Sequence, residues 1–117
     1  MSREPVNILQ GTLDVLILRC LADEPKHGYA ISRWVHERTD GTLQIEDAPL
    51  YKSLRRLENG GCLAAEWGMS ESNRRARYYR LTAEGRKRLR TEELAWYRYA
   101  SATVSYTHLT LPTSDLV

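Results

Sequence analysis

The sequence has little cysteine and no long apolar run, and each shortage excludes a class of protein. Cys20 and Cys62 are too few for a disulfide framework, and neither has another Cys or His at zinc-ligand spacing. The longest apolar stretch, residues 13–21, is interrupted by Asp14 and Arg19, so we expect no bilayer-spanning segment. The first residues show no basic-then-apolar leader. We therefore predict a reduced, cytoplasmic protein without a metal, a cofactor or a membrane partner.

Catalytic motifs are also lacking. The sequence contains no nucleophile elbow, phosphate-binding loop, HExxH pattern or CxxC pattern. Of the histidines, His27 directly precedes a predicted helix and is expected to cap it, while His108 lies in an atypical C-terminal stretch. We predict that the chain is not an enzyme.

Positive charge is concentrated in the middle of the chain. The 117 residues suit one domain, for which roughly 100–150 residues is the common size. Residues 1–51 carry a net charge of −3, residues 52–90 a net charge of +7, and residues 91–117 a net charge of −2. This asymmetry favours a surface that faces a polyanion such as nucleic acid, although a solvated charged surface also produces it.

Apolar periodicity predicts two amphipathic helices in the first forty residues. The first runs from Ile8 to Leu21 and leaves Asp14 outside its apolar stripe. The second runs from Gly28 to about Arg38. Its predicted buried residues are Tyr29, Ile31, Trp34 and Val35. Residues 42–46 then alternate between polar and apolar, which is typical of a very short strand or an extended connector.

A third helix is predicted from its termini and its leucine spacing. Asp47 is a suitable cap, and Pro49 suits a first turn, where its missing N–H has no helical partner. Leu50, Leu54 and Leu57 form an apolar seam. The helix is expected to end at residues 59–61 (NGG), where a glycine can adopt left-handed geometry.

The remaining pattern predicts a hairpin and a last helix. Two extended runs, residues 62–67 and 77–81, flank a polar segment with turn-forming residues. Thr82 is the expected cap of a fourth helix over residues 82–103. The fold class is therefore mainly α with a small β-hairpin. Residues 1–90 are predicted to form a winged helix-turn-helix, with a three-helix core and a two-stranded wing, followed by a C-terminal dimerisation helix.

The third helix carries the first candidate site. Opposite its leucine seam are hydrogen-bonding side chains, with Tyr51 on the flank. These are Lys52, Arg55, Arg56 and Asn59. Arginine and lysine donate to guanine edges or phosphates, and asparagine pairs with adenine, so this face suits a major groove. A solvated helix face would have the same composition, and that alternative stays open.

The hairpin loop carries the second candidate site. Arg74, Arg75 and Arg77 are expected at a wing tip, where they would contact the DNA backbone and contribute affinity rather than sequence choice. The alternative is a flexible polar turn.

Several stretches together resemble the PadR-type transcriptional regulators. They are LQGTLDVLIL (9–18), HGYAI (27–31), LY (50–51) with Leu54 and RLE (56–58), GGCL (60–63), YYRLT (78–82) and AEG (83–85). The resemblance covers roughly residues 8–100. One departure is Ala48-Pro49, which stands where the family usually has glycine with serine or threonine. The start of the third helix would therefore contact the DNA backbone differently.

The resemblance implies a bacterial repressor that binds double-stranded operator DNA as a homodimer, with the last helix and the first forming the interface. The candidate dimerisation residues are Leu89, Leu94, Trp96 and Tyr97. It also implies a small aromatic effector. Trp34, Trp67 and Trp96 either line a ligand cavity or serve the core and the interface, and the second role is favoured. The alternative functions are a winged-helix module that binds protein, and a ligand sensor without operator binding.

The C-terminal stretch departs from the preceding pattern. After Ala102 the helical stripe stops, and residues 104–108 (VSYTH) match the translation of a transposon-end adapter used in sequencing libraries. Our hypothesis is that residues 104–117 are a non-native tail on a truncated gene. The dimerisation helix would then be shortened and dimerisation weakened.

Overall fold

The computed structural model describes residues 10–110, which form helices packed against a small sheet. Its elements are α1 (Gln10–Cys20), β1 (Lys26–His27), α2 (Gly28–Arg38), α3 (Asp47–Asn59), β2 (Leu63–Met69), β3 (Arg75–Leu81) and α4 (Ala83–Thr110). Residues 1–9 and 111–117 lie outside the described range. The first two residues of the predicted first helix and the end of the predicted tail therefore also lie outside this range.

The core lies where α1, α2 and α3 meet the sheet. Each helix turns its apolar stripe inward because residues three and four apart share a face. The side chains with almost no exposure are Ile17, Leu18, Cys20, Leu21, Ile31, Val35, Leu50, Leu54 and Leu57. Cys20 and Cys62 are both buried, and burial raises the pKa of the Cys20 thiol to about 11.

The helix starts confirm two predicted caps and correct a third. His27 Nδ1 accepts a hydrogen bond from the amide of Ala30 at 3.2 Å, and Thr82 Oγ1 accepts one from the amide of Gly85 at 3.0 Å. Asp47, however, is the first residue of α3 and not its cap. Glu46 holds the capping position, and its side chain makes no capping hydrogen bond.

The sheet is larger than the predicted two-stranded wing. Its strand order is β1-β3-β2, and both pairs are antiparallel. The two-residue strand β1 pairs Lys26 with Tyr79. It is too short to show the alternation of apolar and polar residues that would predict a strand. The wing strands β2 and β3 extend from the Leu63–Leu81 pair to the Met69–Arg75 pair, so the connecting turn is shorter than predicted. Residues 42–46 form a connector and not a strand.

Helix α4 is longer than predicted. It continues to Thr110, whereas the apolar pattern predicted an end near residue 103. Residues 104–110 contain neither glycine nor proline, so nothing in them removes a backbone donor, and Pro112 follows only after the helix. The 28-residue helix is about 42 Å long at 1.5 Å per residue. The origin of residues 104–117 stays a hypothesis.

The arrangement is the predicted winged helix-turn-helix. Helices α1–α3 form the core, the β2–β3 hairpin forms the wing, and α4 leaves the wing to pack against α1. Between residues 10 and 110, no helix is both long and apolar enough to cross a membrane.

Candidate nucleic-acid interface

Helix α3 presents a polar face opposite its buried seam. Leu50, Leu54 and Leu57 are buried. Lys52, Arg55 and Asn59 are exposed, and their spacing of three and four residues places them on one side of the helix. The structure therefore brings three of the predicted site residues together on a convex, hydrogen-bonding surface.

Arg56 departs from this face. It was predicted among the exposed donors, but its guanidinium turns back toward α1 and forms an ion pair with Asp14. Its Nη2 also lies 3.4 Å from Ser53 Oγ on its own helix. The physical reason is the buried carboxylate of Asp14, which requires a positive partner, and Arg56 is placed to supply one. Arg56 is therefore removed from the exposed set.

Tyr51 lies at the junction of α3 and α2. Its ring packs so closely on Gly28 that a Cβ added to that glycine would lie 2.5 Å from the Tyr51 hydroxyl oxygen. The glycine of the HGYAI stretch and the tyrosine of the LY pair thus form one contact. The ring itself is partly exposed, so Tyr51 reaches the surface beside Lys52.

The wing turn presents Arg74 and Arg75 to solvent. The Ser70 amide donates to the Arg74 carbonyl at 2.8 Å, and the Arg74 amide donates to Ser70 Oγ at 3.2 Å. The Arg75 guanidinium lies over the Trp67 ring, 4.6 Å from its centroid, which restricts the cation to one side of the wing.

Arg77 does not lie at the wing tip where it was predicted. It is part of β3, and its Nη2 is 2.8 Å from Glu58 Oε2 at the end of α3. Its guanidinium also lies 5.9 Å from the centroid of the Tyr79 ring, and burial raises the pKa of that phenol. Because the hairpin strands are longer than predicted, Arg77 is two residues inside the ladder. The ion pair between Arg77 and Glu58 therefore holds the wing against α3.

A groove of about 840 Å³ separates α2 from the wing and reaches α3 at Tyr51. Five basic and two acidic side chains line it. They are Lys26, Arg33, Arg74, Arg75 and Arg77, with Glu37 and Glu71. Trp34 and Trp67 supply apolar walls. The positive excess and the aromatic surface suit phosphate groups and flat rings.

Two groove residues on α2 were missed by the sequence prediction. Tyr29 was predicted to be buried, yet it is 68% exposed at the start of α2. Arg33, one turn later, lies 5.9 Å from the Tyr29 ring centroid and 3.0 Å from Glu37, and its hydrogen bond to Glu37 raises its pKa. Tyr29 and Arg33 are four residues apart, so this spacing could have indicated a second polar face.

The C-terminal helix provides a separate exposed surface. Leu94, Trp96 and Tyr97 are exposed, and the Trp96 ring stacks with that of Tyr99 at 5.9 Å. Leu89, predicted with them, is instead buried in the core of its own chain, near the start of α4. Within the described part of the chain, no group of three His, Cys, Asp or Glu side chains could hold a metal ion.

Comparison with known proteins bears on this arrangement of helices and wing. Residues 17–91 match the family described as Transcriptional regulator PadR-like family. The chain belongs to this family. Since the PadR-like family consists of transcriptional regulators, the chain is a transcriptional regulator and not an enzyme, as the sequence predicted.

Solved structures agree with the family and the fold. A PadR family transcriptional regulator from Eggerthella lenta is 36% identical, with a TM-score of 0.70 over 83% of this chain and 82% of that one. A transcriptional regulator from Clostridium thermocellum is 30% identical, with a TM-score of 0.74 over 83% and 94%. A PadR family transcription regulator from Clostridium difficile is 25% identical, with a TM-score of 0.71 over 80% and 96%.

Proposed function

We propose that this PadR-like regulator binds double-stranded operator DNA as a homodimer and represses transcription in the bacterial cytoplasm. Helix α3 would enter the major groove, and the wing would follow the phosphate backbone. The observation that carries the proposal is the exposed row of Lys52, Arg55 and Asn59 on α3. The basic groove and the wing arginines Arg74 and Arg75 add positive charge on α2 and the wing.

Each part of this surface has a distinct chemical role in the proposal. In this proposal Arg55 and Asn59 contact base edges, and such side chains discriminate between base pairs. Arg74 and Arg75 would contact phosphate groups, which contribute affinity without sequence choice. Arg56 and Arg77 act indirectly, because both are ion-paired within the protein and hold α3 against α1 and the wing.

We also propose that a small aromatic effector binds this protein. The groove between α2 and the wing has a volume within the roughly 300–1,000 Å³ of small-molecule sites, and Trp34 and Trp67 line it. A flat ligand between these rings would occupy the space that the proposal assigns to DNA. The exposed side of α3 carries Lys52, Arg55 and Asn59, and these polar side chains disfavour the protein-binding alternative.

The test is salt-dependent binding to genomic fragments, beginning with the region upstream of the gene. The double variant Lys52→Ala/Arg55→Ala is compared with Lys87→Ala/Arg90→Ala, which removes the same two charges from exposed positions on α4. We expect the first variant to lose about tenfold or more in affinity for the preferred fragment. Its slope against salt concentration should also fall by about one if Lys52 contacts a phosphate while Arg55 contacts bases.

Other outcomes of this assay would contradict the proposal. Equal losses in the two double variants would mean that α3 contributes only general charge. Equal affinity of the wild-type protein for every fragment would exclude operator recognition. Repression is tested separately by transcription from the preferred promoter, which should fall as the wild-type protein is added.

A further inference from the structure

Asp14 is a buried carboxylate that contacts two other helices. It lies in the middle of α1 with 6% of its surface exposed. Its Oδ1 pairs with Arg56 of α3, and its Oδ2 lies 3.5 Å from Nη2 of Arg88 on α4. One side chain therefore connects the helix proposed to read DNA with the helix proposed to form the dimer.

The negative charge of Asp14 makes the positions of the two arginines depend on each other. A carboxylate removed from water is unfavourable unless cations and hydrogen bonds compensate for it. Here each carboxylate oxygen faces a different guanidinium, so the position of one arginine constrains the position of the other. The guanidinium groups are half-exposed and retain polar neighbours, Ser53 for Arg56 and Glu92 for Arg88. Either arginine could therefore turn away if Asp14 lost its charge.

The fold does not depend on this connection to hold α4 in place. Leu89 anchors α4 in the core, and Arg19 of α1 donates to both carboxylate oxygens of Glu93 at 2.8 and 3.0 Å. Arg86 donates to the carbonyl of Ala22 at 3.2 Å. Removing the pair between Asp14 and Arg88 should therefore loosen the angle of α4 without detaching it.

We propose that Asp14 is a positioning residue that fixes the direction of α4 relative to α3 and thereby sets the distance between the two recognition helices of a dimer. The proposal rests on the proposed function, a DNA-binding homodimer. Symmetric dimers match the spacing of their half-sites, and one base pair more or less moves a half-site by about 3.4 Å and rotates it by about 34°. A looser α4 would tolerate such a change.

The test measures spacing preference in the full chain. Two DNA probes are used: the upstream fragment that the wild-type protein prefers, and the same fragment with one base pair inserted at the centre of its footprint. Arg88→Met removes the α4 side of the connection and leaves α3 untouched. Arg90→Met, at an exposed position on the same helix, is the matched control. Asp14→Asn tests the carboxylate itself.

We expect wild type and Arg90→Met to prefer the unaltered fragment. In Arg88→Met and Asp14→Asn this preference should fall by about fivefold or more. Affinity for unrelated DNA and dimer mass should stay unchanged, because neither depends on the angle between α3 and α4. Arg88→Lys, which keeps the charge, should recover part of the preference.

Three results would overturn the proposal. If Arg88→Met keeps the spacing preference of Arg90→Met, Asp14 does not set the spacing, and DNA binding by the dimer stands. A lower melting temperature with an unchanged preference would assign Asp14 a packing role only. If the wild-type protein selects no fragment at all, the proposed function fails, and this inference fails with it. Should Asp14→Asn not fold, Arg88→Met alone decides the question.

Discussion

At the scale of single residues, Gly85 marks a close approach between two parts of the backbone. A Cβ at this position would lie 2.1 Å from the Cys62 carbonyl oxygen and 3.0 Å from Leu81 Cδ2. The Thr82 amide donates to that same carbonyl at 3.1 Å, so neither the start of α4 nor residue 62 can shift freely. We predict that Gly85→Ala lowers the free energy of unfolding by about 1–3 kcal/mol, measured by thermal and urea denaturation.

Gly11 provides the control for this prediction. It is also a helical glycine, in α1, but a Cβ there would meet no atom within 4 Å. Gly11→Ala should therefore stabilise the protein by about 0.5–1 kcal/mol through the lower entropy of the unfolded chain. Equal changes in the two variants would show that helix propensity, and not the contact with Cys62, determines the effect at position 85.

Single residues are also where sequence-based prediction was weakest. Apolar periodicity assigns charged residues to the surface, so Asp14 and Arg56 were both predicted to be exposed. Their ion pair joins positions 42 residues apart, and no local pattern indicates such a partner. Leu89 was misplaced for the opposite reason. Its apolar character predicts burial, but not whether the burying surface belongs to the same chain.

At the scale of elements, the wing turn depends on one backbone conformation. Asn73 has a φ of 61°, and its amide donates to the Ser70 carbonyl at 2.9 Å. Asparagine tolerates this left-handed region, whereas a β-branched residue does not. We predict that Asn73→Val makes local opening of the wing easier by about 1–2 kcal/mol. Hydrogen exchange of the turn amides should then be roughly tenfold faster or more.

Asn73→Gly is the matched variant, because glycine adopts positive φ without strain. It should leave exchange in the turn close to that of the wild-type protein, while amides of α1 and α3 stay unaffected in both variants. Uniform acceleration across the whole chain in Asn73→Val would contradict a local role for this turn. Comparable acceleration by valine and glycine would instead assign the effect to the asparagine side chain.

Elements with local signals were predicted well, and the others were not. The bounds of α2 and the end of α3 follow from His27, the TDG segment at residues 39–41, and Gly61, whose φ is +84°. Strand β1 could not be predicted, since its two residues are ordered by pairing with β3. The same limit applies to the candidate site. Helical spacing located Lys52, Arg55 and Asn59. The groove between α2 and the wing is lined by residues from separate parts of the chain, so no local pattern in the sequence predicts it.

At the scale of the whole molecule, the apolar surface on α4 is not covered by any other part of residues 10–102. Leu94, Trp96 and Tyr97 remain exposed after the core has formed, although large apolar residues tend to be buried. They lie C-terminal to Leu89 and Glu93, two of the α4 residues that contact the rest of the chain. A second copy of the chain would cover this surface and leave α3 and the wing free for DNA.

Trp96→Ala tests this arrangement directly. Aromatic side chains commonly dominate the energy of interfaces, so we predict that this variant raises the dimer dissociation constant about 30-fold or more, measured by analytical ultracentrifugation. Trp67→Ala is the matched control, because Trp67 is 59% exposed on the wing and Trp96 is 53% exposed on α4. The control should keep the wild-type dissociation constant. If both variants dimerise as the wild-type protein does, α4 is not the interface around Trp96. If both weaken the dimer equally, the wing participates in it, and the two recognition helices cannot both face DNA as proposed.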